Sequence, residues 1–333
     1  MKFGQSFLAM LKPMKAIRVQ AINQMQLEDV PMPVPKAGEV RVKLEFAGLN
    51  FIDVYQRSGI YKMPMPFILG MEGAGVVEAL GDGVTDFSIG QRVAYTMNRG
   101  SYAEYAVIPT QALVKVPHKV SSQTAAAIML QGMTAHYLAL STYKLEAGDT
   151  ALVHAAAGGV GHLLVQIAKR MGAKVIATVG NADKAEIVRS LGADEVIIYT
   201  EQDFEVEVKK LAPAGLEVIY DSVGKDTFLK GLNLLKPRGM MVLYGASSGQ
   251  VEPFDLQLLN AKGSLFVTRP SLGHYIADPD ELEWRASELF DWLVGGQLKL
   301  TIDKVFPLSQ VAAAHAYIES RQTKGKVLLE IDE

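Results

Sequence analysis

Three small residues at fixed spacing form the stretch of the sequence best suited to chemistry. Ala156, Gly158 and Gly161 fit the pattern A-x-G-x-x-G. In such a turn the first small residue allows a sharp change of direction, the second lets a pyrophosphate approach the backbone, and the third lets a helix lie close to a strand. The turn therefore predicts that phosphates bind at the N-terminus of the helix that follows it.

The segments on either side of this turn supply the elements that the pattern requires. Residues 151–154 are apolar and have the length of a buried strand. Residues 160–170 place their large apolar side chains on one face of a helix. A glycine pattern alone is weak evidence, but here the strand and the helix are both present, which favours a dinucleotide site.

The same stretch resembles the signature of the quinone oxidoreductase and zeta-crystallin branch of the medium-chain dehydrogenase/reductase superfamily. The positions that match this signature are Gly148, Asp149, Leu152, Ala156, Ala157, Gly158, Gly159, Gly161, Gln166 and Lys169. Further motifs similar to those of the family occur from Met14 to Ile331, so the resemblance covers nearly the whole chain. It implies an α/β protein with a GroES-like distorted β-barrel as catalytic domain and a Rossmann domain, which is a doubly wound parallel sheet.

The composition excludes several kinds of site. The 333 residues suffice for two domains, and the hydrophobic and charged fractions of 49% and 21% are those of a globular protein. A net charge of −3 argues against nucleic acid as the main partner. The absence of cysteine excludes disulfides, thiolate nucleophiles and cysteine-bound zinc. No apolar run reaches the length of a membrane span, and the first residues do not resemble a secretory signal, so we expect a cytoplasmic protein.

The hydrophobic periodicity divides the chain into three parts. Residues 1–130 contain many short predicted strands and form the first part of the catalytic domain, with residues 1–13 as a short extension. Residues 131–268 alternate between strands and helices, which predicts the parallel sheet of the NADPH-binding domain. Residues 269–333 are expected to return to the catalytic domain, as the corresponding segment does in the resembled family.

Two details of the first part are predicted from local patterns. Strands are expected at residues 15–20 and 39–49, with the proline-rich segment Pro31–Pro35 between them. Ser121 or Ser122 can cap a long helix that runs through Leu140.

The residues after the second strand of the nucleotide domain favour NADPH over NADH. An NADH site usually has an acid about 20 residues beyond the glycines, where it holds the ribose 2′-hydroxyl. Here Thr178–Asn181 contains no acid, and Lys184 follows in the next helix. Without a carboxylate a 2′-phosphate is not repelled, and the lysine attracts it. In the resembled family the residues that match Gly180, Lys184 and Tyr199 surround this phosphate.

The resemblance implies further cofactor contacts, mostly at the carboxyl ends of strands, where open parallel sheets bind ligands. Gly159 and Val160 would supply N–H groups of the turn, and Phe266 and Val267 would line the nicotinamide. The other residues that match cofactor contacts are Tyr55, Tyr137, Ser222, Tyr244, Gly245, Ala246, Ser247 and Lys326.

The positions that hold zinc in related alcohol dehydrogenases carry other residues in this chain. Asn50 stands where the family has a cysteine, and Met71 stands where it has a histidine. The six histidines show no paired ligand spacing, so no metal is expected. Without a Lewis acid it is difficult to remove the proton and the hydride of an alcohol together. The sequence therefore favours electron-poor acceptors such as quinones or conjugated carbonyls.

Three residues of the first part are candidates for catalysis, because the protein must hold the acceptor and stabilise the oxyanion that forms on it. Asn50 can donate an N–H to the acceptor oxygen or to the nicotinamide amide. Tyr55 can donate its O–H, although a half-buried aromatic near a helix start would explain this residue equally well. Tyr61 follows Gly59 and Ile60, as the proton donor of related enoyl-thioester reductases does, but quinone oxidoreductases commonly have this tyrosine too.

Three hypotheses follow. The leading one is an NADPH-dependent quinone reductase. The second is a zinc-free reductase of α,β-unsaturated carbonyls. The third is an NADPH-binding protein with little turnover, since crystallin relatives are recruited for structure and some bind RNA, although the acidic balance weighs against RNA. The family resemblance implies a homodimer, and the sequence leaves the natural acceptor and the number of electrons per step open.

Overall fold

The computed structural model describes residues 12–331. The extension predicted at residues 1–13 lies outside the described residues, apart from its last two positions. The described chain divides into two compact units. The first unit consists of the residues up to Leu130, Asp278–Val294 and the residues from Leu300 onward. The second unit consists of Gln131–Ala277 and Gly295–Lys299.

Short strands dominate the first part of the chain, and strands alternate with helices in the middle. In chain order the strands are β1 (Pro13–Ala21), β2 (Gln24–Pro31), β3 (Glu39–Leu49), β4 (Phe67–Ile68), β5 (Glu72–Leu80), β6 (Arg92–Thr96), β7 (Tyr105–Pro109), β8 (Leu113–Lys115), β9 (Thr150–Val153), β10 (Lys174–Val179), β11 (Glu195–Ile198), β12 (Leu216–Asp221), β13 (Leu235–Leu243), β14 (Phe266–Thr268), β15 (Ile302–Pro307) and β16 (Lys326–Glu330). The α-helices are α1 (Phe51–Arg57), α2 (Ser122–Tyr137), α3 (Gly161–Arg170), α4 (Ala182–Ser190), α5 (Phe204–Leu211), α6 (Phe228–Gly231), α7 (Gln257–Ala261), α8 (Leu272–Tyr275), α9 (Pro279–Val294) and α10 (Val311–Glu319).

A seven-stranded sheet forms the framework of the first unit. Its strand order is β15-β16-β3-β5-β6-β8, with β7 also paired to β3, and a smaller sheet has the order β2-β1-β4. In β3, buried and half-buried residues alternate up to Leu44, and the last three residues are all buried. Its apolar side chains belong to a core that also contains Ala314 and Ile318 of α10. The buried end of β3 leads directly into Asn50 and α1, so this core fixes the position of the candidate residues there.

The second unit contains a six-stranded sheet in which all the paired strands are parallel. The order β11-β10-β9-β12-β13-β14 places the first strand of the unit at the centre. This is the doubly wound order, in which ligands bind at the carboxyl ends of the strands where the winding direction changes. That point lies between β9 and β12, and the glycine turn follows β9 directly.

Several elements differ from the sequence prediction. Strand β2 was not predicted: it lies between the two predicted strands, ends at the first proline of the Pro31–Pro35 segment, and buries only Val30. Strand β15 also has a single buried residue, Phe306. Adjacent charged residues interrupt the apolar pattern of both strands, Glu28 and Asp29 in β2 and Asp303 and Lys304 in β15, so neither strand was recognised in the sequence. The long helix ends at Tyr137 and continues as a π-helical turn over Leu138–Thr142, which passes the predicted end at Leu140.

Candidate active site

The chain leaves β9 through a turn whose geometry depends on small residues. Ala155 is the residue in the left-handed region, with φ of 51°, and not Ala156, at which the sharp turn was expected. The N–H of Ala156 instead donates to the carbonyl of Thr178 at 3.1 Å, which ties the turn to β10. A Cβ on Gly161 would lie 2.5 Å from the carbonyl oxygen of Ala155. Glycine is therefore required for α3 to lie this close to the end of the strand.

Gly158 and Gly159 differ in their surroundings. Apart from its chain neighbours, a Cβ on Gly158 would meet only the carbonyl oxygen of Ala155, at 3.1 Å, so the backbone here is open to a ligand. A Cβ on Gly159 would lie 2.2 Å from the side-chain nitrogen of Gln131. The N–H groups of Gly159 and Val160 donate to no backbone acceptor within residues 12–331. These two N–H groups can bind a phosphate at the start of α3.

The residues predicted to surround a 2′-phosphate lie around the end of β10. A Cβ on Gly180 would lie 2.9 Å from the hydroxyl of Tyr199, so the hydroxyl lies directly against this glycine. Asn181 caps α4, and its Oδ1 accepts the backbone N–H of Lys184 at 3.0 Å. The side chain of Lys184 is half-buried, in the first turn of α4. The structure thus brings Gly180 and Tyr199 together and places Lys184 in the first turn of the helix that follows Gly180.

A buried carboxylate holds the loop after β12. Asp221 accepts the N–H groups of Val223 and Gly224 at 2.7 and 3.0 Å, and the hydroxyl of Thr227 at 2.8 Å. These bonds fix the segment that contains Ser222. Sequence reasoning selected Ser222 and overlooked Asp221, although an acid at the end of an apolar strand is an unusual residue to bury.

The segment after β13 packs closely on the same loop. A Cβ on Gly245 would lie 2.5 Å from the carbonyl oxygen of Ser222, so only glycine allows this approach. The N–H of Tyr244 donates to the carbonyl of Asp221 at 2.8 Å, and that of Ser247 to the carbonyl of Ser222 at 3.1 Å. The predicted residues Ser222 and Tyr244–Ser247 therefore form one cluster at the sheet edge.

The other predicted cofactor residues of the second unit are less closely grouped. Tyr137 is buried, and its ring stacks on that of Tyr275 with centroids 4.2 Å apart. Phe266 is 55% exposed at the start of β14, and the neighbouring Val267 is half-buried. An aromatic side chain exposed to this extent can cover an apolar part of a ligand.

In the first unit, Asn50 lies between β3 and α1, and hydrogen bonds from its backbone and its side chain hold it there. Its backbone N–H donates to Asp53 Oδ2 at 2.8 Å. Its Nδ2 donates to Glu72 Oε2 at 2.8 Å and to the carbonyl of Gly48 at 3.2 Å, and its Oδ1 accepts from Lys326 Nζ at 2.8 Å. Both amide hydrogens are thus directed to protein acceptors. The predicted donation to a substrate oxygen requires Asn50 to exchange one of these partners.

Lys326 and Glu72 form an ion pair whose side chains are both 0% exposed, with Nζ 2.5 Å from Oε2. Glu72 Oε1 also accepts the N–H of Leu130 at 2.6 Å. Burial lowers the pKa of Lys326, and the Glu72 carboxylate opposes that shift. Lys326 was predicted to reach the cofactor, whereas its ammonium here binds Glu72 and Asn50. Glu72 was not predicted, although a charged residue within a buried strand is a signal that the sequence does contain.

Asp53 is the second buried carboxyl group of this cluster. Burial raises its pKa to about 7, and the Asn50 N–H, the Tyr102 hydroxyl and Lys326 oppose that rise. Oδ2 accepts from the Tyr102 hydroxyl at 3.1 Å, and Oδ1 has no hydrogen-bond partner among the residues that the structure describes. This carboxyl group can therefore change its protonation near neutral pH.

Tyr55 and Tyr61 follow Asp53 closely in the sequence, and their side chains lie together. Their rings meet edge to face with centroids 5.4 Å apart, and the N–H of Tyr61 donates to the carbonyl of Tyr55 at 3.0 Å. Tyr55 is half-buried on α1, while Tyr61 is 40% exposed. The structure therefore brings these two predicted residues together and leaves the Tyr61 side chain accessible.

Within residues 12–331, no group of three or more His, Cys, Asp or Glu side chains is placed to hold a metal ion. None of the helices in this part of the chain has the length and apolarity needed to cross a membrane.

Comparison with known proteins places the chain in a family. Residues 36–118 match the alcohol dehydrogenase GroES-like domain, and residues 159–289 match the zinc-binding dehydrogenase family, so fold and turn together define a medium-chain dehydrogenase/reductase. The quinone oxidoreductase of Pseudomonas aeruginosa is 43% identical over 92% of this chain and 95% of its own length. The chain belongs to the quinone oxidoreductase branch of this superfamily.

Two other similar proteins bear on the reaction. The 2-haloacrylate reductase of a Burkholderia species is 42% identical over 91% of this chain and 93% of its own length. The solved structure of the Escherichia coli quinone oxidoreductase, complexed with NADPH, has a TM-score of 0.92 at 39% identity and covers 95% of this chain and 99% of its own.

Proposed function

We propose that the protein is an NADPH-dependent quinone oxidoreductase that needs no metal ion. The observation that carries this proposal is the full-length similarity to quinone oxidoreductases, at 39% to 43% identity. The glycine turn supports it, because the backbone at Gly158 is open and the N–H groups of Gly159 and Val160 are available to a pyrophosphate.

NADPH, when bound, supplies the hydride. Its 2′-phosphate would be held by Lys184 together with Tyr199 and Gly180, at a strand end that presents no carboxylate. An ammonium group attracts the phosphate, and the absence of an acid there removes the main cause of repulsion. The remaining residues of the proposed cofactor site are Tyr55, Tyr137, Gly158, Gly159, Val160, Gly161, Ser222, Tyr244, Gly245, Ala246, Ser247, Phe266 and Val267.

The acceptor is proposed to contact residues of the first unit. Asn50 and Tyr55 are the proposed donors to the oxyanion of a reduced quinone, Tyr55 through its hydroxyl group and Asn50 by exchanging one of its present partners. A quinone takes its proton on oxygen, which water can supply, so this reaction needs no acid at a fixed position. Lys326 is assigned to holding Asn50 rather than to contacting the cofactor, since its buried ammonium already binds Asn50 and Glu72.

A second candidate is an NADPH-dependent reductase of α,β-unsaturated carbonyl compounds. The similarity to a 2-haloacrylate reductase favours it, because a haloacrylate contains a carbon–carbon double bond conjugated to a carboxylate. Such a substrate must receive a proton at carbon, so a placed acid is needed. The accessible hydroxyl of Tyr61 is the proposed donor.

We propose that the first unit is the catalytic domain, predicted as residues 1–130 and 269–333, and that the second unit is the NADPH-binding domain, predicted as residues 131–268. The two compact units differ from these bounds at residues 269–277 and 295–299, which belong to the second unit. A homodimer in the cytoplasm that does not bind nucleic acid agrees with the family and with a net charge of −3.

Steady-state kinetics test the proposed function directly. Purified protein should oxidise NADPH faster with a quinone as acceptor than with an enal or a haloacrylate. With the same quinone, it should oxidise NADPH faster than NADH. Turnover of the enal or the haloacrylate far above that of every quinone would replace the first candidate with the second. NADPH binding without turnover of any acceptor would contradict both.

A further inference from the structure

A buried histidine beside the glycine turn has no part in the function described so far. His162 is the second residue of α3 and is 1% exposed. Its Nδ1 lies 3.0 Å from the carbonyl oxygen of Gly158, and its backbone N–H donates to that same oxygen at 3.0 Å. A carbonyl oxygen only accepts hydrogen bonds, so Nδ1 carries the hydrogen. One residue thus binds the Gly158 carbonyl twice.

The orientation of this carbonyl determines the orientation of the next N–H. The peptide bond between Gly158 and Gly159 is planar and trans, so its C=O and N–H point in opposite directions. When His162 holds the carbonyl toward α3, the Gly159 N–H points away from the helix. That N–H has no backbone acceptor among residues 12–331, so it remains available to a ligand.

A peptide between two glycines needs such a restraint more than other peptides do. Glycine adopts positive and negative φ almost equally well, so this peptide can rotate with little steric cost. Rotation would direct the carbonyl oxygen of Gly158, which carries partial negative charge, toward a bound phosphate. A Cβ at Gly159 would lie 2.2 Å from the side-chain nitrogen of Gln131, so a bulkier residue that stiffened the turn would also displace this side chain.

We propose that His162 is a positioning residue for the cofactor, which fixes the Gly158 carbonyl and thereby directs the Gly159 N–H at the pyrophosphate. This inference rests on the proposed function, because it requires a dinucleotide at the turn. The proposed role of His162 concerns the pyrophosphate, which NADPH and NADH share. The role of Lys184 concerns the 2′-phosphate, which only NADPH has.

Two substitutions at one position test the inference through equilibrium binding, measured by calorimetric titration with NADPH and with NADH. His162→Phe keeps a ring but removes the donor, and we expect it to weaken both cofactors by roughly fivefold to tenfold. His162→Asn places an amide nitrogen near the position of Nδ1, and we expect it to restore most of the affinity. A matched control is Gln166→Leu on the same helix, which removes side-chain bonds to the carbonyls of His162 and Lys299 and should leave binding unchanged.

The possible results separate this inference from the proposed function. If the unaltered protein binds neither cofactor, the proposed function fails and this inference fails with it. If it binds NADPH but His162→Phe binds as tightly, only the positioning role is overturned. Equal losses of cofactor affinity in His162→Phe and His162→Asn, accompanied by equal drops in thermal stability, would show that His162 only packs. That result would also overturn the positioning role.

Discussion

At the residue scale, the preference between the two nicotinamide cofactors depends on Lys184. Replacing it with alanine should weaken NADPH about tenfold, which corresponds to about 1.5 kcal/mol for a charge-assisted contact. NADH should bind almost as before, because it has no 2′-phosphate. Fluorescence titration with both cofactors measures this difference. Lys209→Ala, on α5 and paired with Glu205, is a control for the loss of one positive charge. An equal loss for both cofactors in Lys184→Ala would refute the assignment.

Tyr61 separates the two candidate reactions. If the protein is a quinone reductase, Tyr61→Phe should change kcat little, because solvent can protonate the product on oxygen. If it reduces conjugated carbonyls, the loss should lie on the order of 10²–10⁴, the range for a general acid. The measurement is kcat with a quinone and with an enal on the same variant, after NADPH affinity has been checked.

Tyr105→Phe is the control for this test, since it removes a hydroxyl group from a half-buried tyrosine of β7 that is not assigned to the site. A loss in Tyr61→Phe that is equally large with the quinone and with the enal would contradict a role of Tyr61 in proton transfer to carbon.

At the element scale, the start of α1 should respond to pH through Asp53. Its pKa is about 7 in the folded protein, against an ordinary value of 3.8. Between these values the folded protein keeps the proton and the unfolded chain loses it, so the free energy of unfolding falls as pH rises from about 4 to about 7. The full effect is on the order of a few kcal/mol. We expect Asp53→Asn to lose this dependence, so its stability relative to the unaltered protein should increase between pH 5 and pH 8.

Thermal unfolding at those two pH values measures the effect, with Asp29→Asn as the control because Asp29 is 61% exposed. Asn can accept the same two hydrogen bonds, and its NH₂ group would replace Oδ1, which has no partner within residues 12–331. A difference between variant and unaltered protein that stays constant from pH 5 to pH 8 would contradict the raised pKa.

The buried pair of Glu72 and Lys326 joins β5 to β16, which lie far apart in the sequence. Lys326→Met leaves the Glu72 carboxylate buried without its cation and should cost about 3–5 kcal/mol in the free energy of unfolding. The double substitution Glu72→Gln with Lys326→Met removes both charges and should recover part of this loss. Lys15→Met, which breaks an exposed pair with Asp29, should cost less than about 1 kcal/mol in the same urea denaturation. A double variant no more stable than Lys326→Met would contradict this explanation.

Features set by a local sequence pattern could be predicted, whereas contacts between distant segments could not. Strands such as β10 are buried on both faces and therefore appear as continuous apolar runs, so the alternation of strands and helices in residues 131–268 could be predicted. The glycine turn was found because its spacing is local. Strands β2 and β15 were missed because charged residues interrupt their apolar pattern, Glu28 and Asp29 in β2 and Asp303 and Lys304 in β15. The contacts of Asn50 could not be predicted, because its partners Glu72 and Lys326 approach it only when the sheet forms.

At the scale of the whole molecule, the candidate residues of the first unit depend on both ends of the chain. Strand β16 pairs with β3 antiparallel, which brings Val327 opposite Leu49 and places Lys326 beside Asn50. The segment 36–118, which matches the GroES-like domain, therefore does not contain the complete cluster. Strand β16, with which the chain returns to this sheet, carries Lys326, and this residue supplies the positive charge next to Asn50.

That positive charge leads to a prediction about metal dependence. Asn50 and Met71 stand where the zinc-dependent relatives have cysteine and histidine, and neither amide nor thioether is a strong zinc ligand. Lys326 Nζ lies 2.8 Å from Asn50 Oδ1, so a cation that bound this oxygen would have to displace the ammonium group already bonded to it. We expect quinone reduction to survive dialysis against a chelator, and elemental analysis to find far less than one zinc per chain. A zinc-dependent alcohol dehydrogenase treated in parallel should lose its activity, which verifies the treatment. One tightly held zinc per chain, with activity lost on its removal, would contradict the metal-free assignment.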